Sequence, residues 1–204
     1  MPMRVQKEEG LRVYQVFHDT APWAARAPSG EKEAKRYPPR NLNDLKLFLT
    51  KASKRYESAV VAWEIWNEVD SSVFFAGAAE DYAPLLEKAW RSIKSQSSDI
   101  QVLLGSMCFF QGTHVANGVV YEDREGERFL EKVFECESGK SFDIYNFHYY
   151  GPADGLLDRF KIDREIMERY GLENKSVWLT EMGLPGEGPT TSEIQDFERD
   201  QADY

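Results

Sequence analysis

Short apolar runs rich in β-branched and aromatic residues recur along the chain at 11–17, 59–66, 100–105, 142–147 and 176–180, each closed by polar or turn residues. They predict five strands. Between them the apolar positions switch to helical spacing. Leu42, Leu45, Phe48, Leu49 and Ala52 fall on one face of a helix that Asn41 is placed to cap. Tyr82, Leu85, Leu86, Ala89, Trp90 and Ile93 make the stripe of a second helix over 80–96. Further helices are predicted over 127–136 and over 156–170, the latter closed by Gly171. A last one should begin near Thr191 or Ser192, with Glu193 in its first turn.

The predicted strands start every 34 to 48 residues, with a helix between each pair for most of the chain. That alternation implies a parallel sheet with right-handed crossovers, either doubly wound or a (β/α) barrel. A doubly wound nucleotide fold wants a glycine-rich phosphate turn, and neither GxGxxG nor GxxxxGK[ST] occurs. The barrel is therefore the better reading. Five units do not close an eight-unit barrel, which takes about 250 residues. The expected fold is an α/β, TIM-type (β/α) barrel, partial, with residues 1–204 forming one domain.

Composition narrows the partners. With 25 Lys and Arg against 35 Asp and Glu, the net charge of -10 repels nucleic acid and anionic membranes. No run of about 18 apolar residues is present, and the start MPMRVQKEEG lacks the apolar core of a secretory signal, so a soluble chain is expected. Cys108 and Cys136 match no metal or redox spacing. The three histidines, His18, His114 and His148, form no His-x-His pair, so no metal and no cofactor is expected. His114 falls in a stretch, 111–122, that reads as a loop.

In a parallel βα fold the site forms at the carboxyl ends of the strands. The first strand ends in Phe17-His18-Asp19 and leads to Trp23; the second ends in Trp66-Asn67-Glu68 and the fourth in His148-Tyr149-Tyr150; the fifth reaches Thr180-Glu181. Two carboxyls at two strand ends, among Asn, His, Tyr and Trp, are the parts of a glycosidase, which needs one acid for the leaving oxygen and one carboxylate at the anomeric carbon.

Here the motifs become specific. "WEIWNE", "FHYYG" and "VWLTEMGL", in that order, resemble clan A of the glycoside hydrolases, retaining (β/α)8 enzymes, and look most like the β-xylosidase and α-L-iduronidase family. The resemblance implies that the chain covers strands 3 to 7 of such a barrel. It implies Glu68 as acid/base, Glu181 as nucleophile and Asn67 as the partner of a sugar 2-hydroxyl. His148 and Tyr149 match the aromatic pair bordering the sugar subsite. "RVYQVFHDTAPWAA" is similar to strand 3 and its loop, with His18 and Trp23 as further substrate contacts.

Other readings of the same residues stay open. Glu68 suits the first turn of a helix capped by Asn67, and Glu181 suits a loop before Gly183 and Pro185. His18 suits a capping role and Trp23 ordinary packing. Glu64 shares the face of Glu68 but sits mid-strand, which reads as a buried structural carboxylate that demands a charged or hydrogen-bonding partner; were that partner supplied by a missing strand, Glu64 would be a point of instability. The expected partner is an oligosaccharide or glycoside. The alternative is an inactive barrel fragment that binds glycan or assembles, self-associating through the sheet edges at 11–17 and 176–180.

Overall fold

The computed structural model describes residues 12–109, 114–116, 119–121, 124–150 and 153–183. The strands are β1 (Val13–Phe17), β2 (Val60–Ile65), β3 (Gln101–Leu104), β4 (His114–Ala116), β5 (Val119–Tyr121), β6 (Ile144–Tyr150) and β7 (Ser176–Gly183). The α-helices are α1 (Leu42–Tyr56), α2 (Ala79–Lys94), α3 (Glu125–Glu135) and α4 (Ala153–Arg169). All five predicted strands are found, as are the four predicted helices that fall on described residues. Boundaries agree to within three residues, about the usual margin for ends set by capping rather than by periodicity.

Local chemistry accounts for the ends. The Asn41 side chain accepts the Asn43 N–H at 3.0 Å and starts α1. Gly171, at φ +71°, ends α4 in the left-handed conformation that glycine adopts without steric cost. The Leu172 N–H then reaches back to Met167 O at 2.9 Å.

The order of the main sheet is β1-β2-β3-β6-β7, and every described pairing in it is parallel. This is a curled half-barrel: a partial TIM-type α/β barrel of five strands with helices outside it. The curl is strong enough that Tyr14 on β1 and Trp178 on β7, from opposite edges of the sheet, meet edge to face with ring centroids 6.4 Å apart. The outward side chains of β2, β3 and β6, among them Ile65, Leu104 and Phe147, pack with Leu49, Leu86 and Ile166 of the helices in one buried core. Each such side chain contributes about 1.5–3 kcal/mol on burial. Ala62, Leu103 and Ile144 form a smaller inner cluster with Tyr14 against it.

The expected loop at 111–122 is corrected. β4 and β5 pair antiparallel there, with His114 opposite Tyr121, as a hairpin outside the main sheet. Its strands are three residues long, too short for alternation to register in the sequence. The helix expected from residue 191 and the strand start at Leu11 lie outside the described residues. Among the described residues no helix is long and apolar enough to cross a membrane. Neither Cys108 nor Cys136 is in a disulfide.

Candidate active site

Three of the residues singled out in the sequence meet at the carboxyl ends of β2, β6 and β7. His148 Nδ1 lies 2.9 Å from Glu68 Oε1 and 3.4 Å from Glu181 Oε2. One oxygen of each glutamate and one ring nitrogen all fall within 4.8 Å of one another. His148 and Glu68 are buried, whereas the Glu181 side chain is 47% exposed. The pair thus has one sheltered and one open carboxyl.

Backbone turns aim these groups. Trp66 and Glu68 both have positive φ, +78° and +45°, a costly conformation for residues with a Cβ. Two bonds hold the turn: Trp66 N–H to Phe17 O at 2.6 Å, and Glu68 N–H to the Ser106 hydroxyl at 3.0 Å. Asn67, between the two strained residues, is half-buried. On β7 the register slips, so that Phe147 is opposite Leu179 but His148 is opposite Glu181. The extra residue, Thr180, donates to Asn146 Oδ1 at 2.7 Å, and Glu181 reaches His148. An irregularity of this kind re-aims side chains at a barrel rim.

Tyr150 completes the group. Its hydroxyl donates to Glu181 Oε2 at 2.8 Å, and chiefly through that bond its pKa is pushed up to about 12. Glu64, on the inner face below Glu68, is fully buried, and its Oε1 accepts the Ser106 N–H at 2.8 Å. Burial pushes Glu64 up to about 7.

The remaining sequence candidates sit elsewhere. Tyr149 packs on the outer core, with its hydroxyl against Gly155 of α4. The tyrosine at Glu181 is therefore Tyr150, because alternation from inward His148 sends the next side chain to the helix layer and the one after it back inside. His18 and Trp23 line a separate pocket of about 540 Å³ with Asp19, Phe48 and Trp66, of which the Glu68, His148 and Glu181 trio is not part. Trp23 is 80% exposed there. His18 Nδ1 is 3.4 Å from Asp19 Oδ1, and Lys35 is 3.5 Å from the other oxygen.

Sequence reasoning missed Ser106 and Tyr150 as participants and named no partner for Glu64. That partner comes from the end of β3. The signal for Ser106 was available: it stands directly after Gly105 at a strand end. The Glu-His-Glu trio has the spacing of a small cation site.

Comparison with known proteins gives the context of this geometry. A family model described as glycosyl hydrolase catalytic core matches residues 44–204. Among solved structures, a glucosidase from Croceicoccus marinus aligns with TM-score 0.65 at 16% identity, over 93% of this chain and 38% of that one. A monomeric β-xylosidase from Caulobacter crescentus CB15 gives 0.65 at 16%, over 92% and 40%. A fungal β-1,4-galactanase gives 0.63 at 17%, over 100% and 64%. At these identities the likeness is one of fold. The chain spans 38% to 64% of the length of these structures. No curated protein matches the chain in sequence.

Proposed function

The chain belongs to the glycosyl hydrolase catalytic core family, and from that premise we propose that it carries the reacting carboxyls of a retaining O-glycosidase, with Glu68 as acid/base and Glu181 as nucleophile. One observation carries the reading: oxygens of the two glutamates, from strands three places apart in the sheet, lie within 4.8 Å of each other. Retaining enzymes hold their carboxyls about 5–5.5 Å apart, whereas inverting ones leave about 6.5–9.5 Å for a water.

The chemistry follows from the placement. Glu181, open to solvent and oriented by Tyr150, attacks the anomeric carbon as a carboxylate while the bond to the leaving oxygen breaks. Glu68 gives its proton to that oxygen. In the second half Glu68, now a carboxylate, takes a proton from water, whose oxygen attacks the same carbon and displaces Glu181. His148, touching both carboxyls, fixes their separation. Asn67 would meet the sugar 2-hydroxyl beside Glu68. Trp23 and His18, in their separate pocket, would meet more distant sugar units, for which a flat exposed ring is suited.

The test is turnover of a panel of aryl glycosides by the wild type and by Glu68→Gln and Glu181→Gln. A 2-fluoro glycoside with a good leaving group should label Glu181, read as a mass increase on its peptide. Unchanged turnover in both variants, or a label elsewhere, would sink the reading.

A second reading is favoured by exposed apolar side chains beside the β1 edge. Trp23 and Phe48, which line a pocket with Val16 and Phe17, are 80% and 54% exposed. A glycan-binding or assembly module that self-associates through this edge would sediment as an oligomer and lack turnover.

A further inference from the structure

Glu64 stands four residues before Glu68 on the inward face of β2 and is 0% exposed. A carboxylate there is costly unless its oxygens are hydrogen-bonded. Its Oε1 accepts the Ser106 N–H at 2.8 Å. Ser106 Oγ, itself fully buried, accepts the Glu68 N–H at 3.0 Å. Ser106 therefore links the Glu64 carboxyl, through its backbone N–H, to the Glu68 amide, through its hydroxyl, at a residue whose φ of +45° needs outside support.

We propose that Glu64 is a positioning residue for the glycosidase reaction, holding the Glu68 backbone in its left-handed turn through Ser106 and so setting where the acid/base carboxyl points. The inference rests on the reading of Glu68 as acid/base. Three groups besides Ser106 bear on it: His148 on β6 and Glu181 on β7, which act on the Glu64 charge, and Tyr82 on α2, whose ionisation the Glu64 charge opposes. Burial raises Glu64 to about 7, Ser106 and His148 oppose the rise, and Glu181 adds to it. Above that pH the charged carboxylate grips the Ser106 N–H; below it the neutral acid is a weaker acceptor and its hold on Ser106 loosens.

The experiment uses the full chain and the variants Glu64→Gln, Ser106→Ala and Glu68→Gln. Amide proton and nitrogen shifts of residues 106 and 68 are followed by NMR through neutral pH. In the wild type both amides should move together with a component centred near 7. In Glu64→Gln that component should vanish from both. In Ser106→Ala it should persist at residue 106 and vanish at Glu68, which a merely structural carboxylate would not produce. In turnover, Glu64→Gln should lower kcat about tenfold and leave KM within about twofold, as expected of a displaced catalytic group. A Glu68 amide that still titrates near 7 in Ser106→Ala, which also stands in should Glu64→Gln fail to fold, overturns the positioning role alone. Full turnover in Glu68→Gln overturns instead the acid/base reading beneath it.

Discussion

Tyr150 donates its hydroxyl to Glu181 Oε2 at 2.8 Å, across the β6–β7 pairing in which its own backbone is opposite Gly183. The bond works because of the irregularity one step earlier, which turns Glu181 inward beside His148 and within reach of the phenol. An exposed carboxylate on a strand end otherwise samples several rotamers. Here one oxygen carries a donor and the carboxylate plane is set.

Tyr150→Phe keeps the ring and deletes the donor. Because Tyr150 is 43% exposed, stability should change by no more than about 0.5 kcal/mol. With Glu181 as the proposed nucleophile, the loss should fall on kcat, about tenfold, with KM moving less, since orientation of an attacking carboxylate matters most in the transition state. Steady-state kinetics on an activated aryl glycoside decide it; an unchanged kcat would remove Tyr150 from the site.

The particular errors show what a sequence can carry. Glu68 and Glu181 were legible because strand ends collect chemistry in parallel βα folds, and both stand directly at such ends. Tyr149 was chosen over Tyr150 because two adjacent tyrosines differ only in facing, and facing depends on a register that no linear pattern reveals. The partner of Glu64 could not be named because Ser106 lies 42 residues away, on the neighbouring strand end. The β4–β5 hairpin was invisible because strands of three residues carry no period. Periodicity reports each element's inner and outer face; the contacts between elements come from curl, slip and turn.

Arg159 tests the outer layer. It is bonded to Glu127 Oε1 at 2.6 Å and to Asp163, and its guanidinium carbon sits 3.8 Å from the centroid of the Phe109 ring. All three charged side chains are nearly buried. Arg159→Met should cost about 3–5 kcal/mol, because it strands two carboxylates in a low-dielectric place. Arg159→Lys should cost less but not nothing, since a point charge cannot fork to both acids. Urea midpoints measure both; equal midpoints for wild type and Arg159→Met would show the cluster to be energetically idle.

Glu64 also makes stability depend on pH. Its folded pKa is raised from 4.5 to about 7, so folding favours the protonated form. The contribution is then fully present below about 4.5 and is lost as pH rises through 7, on the order of 3 kcal/mol in all. Urea midpoints of the wild type should accordingly fall between about pH 5 and pH 8. Glu64→Gln, which cannot ionise, should flatten that slope, and a slope as steep as that of the wild type would assign it to other groups.

Tyr82 joins the two strand ends on which the Glu68 turn is built. Its ring is fully buried against Phe75, which in turn meets Trp66, with centroids 5.7 and 5.2 Å apart. Its hydroxyl donates to Ile65 O at 2.7 Å and accepts the Gly105 N–H at 2.6 Å, linking the last residue of β2 to the residue after β3. Burial holds the phenol far above its usual pKa, so it remains a neutral donor at any working pH. Tyr82→Phe leaves a buried carbonyl and a buried amide unpaired and should cost about 1–3 kcal/mol. Gly105→Ala should be worse, because a Cβ there runs into the Ile65 carbonyl, which is backbone and cannot swing aside, and into the Tyr82 hydroxyl. Both changes act next to Ser106 and Trp66, so turnover should fall further than the lost stability alone predicts at a temperature where each variant is folded. Denaturant melts paired with kcat below the transition separate the two effects; full kcat in folded Tyr82→Phe would show that this link serves stability without setting the site.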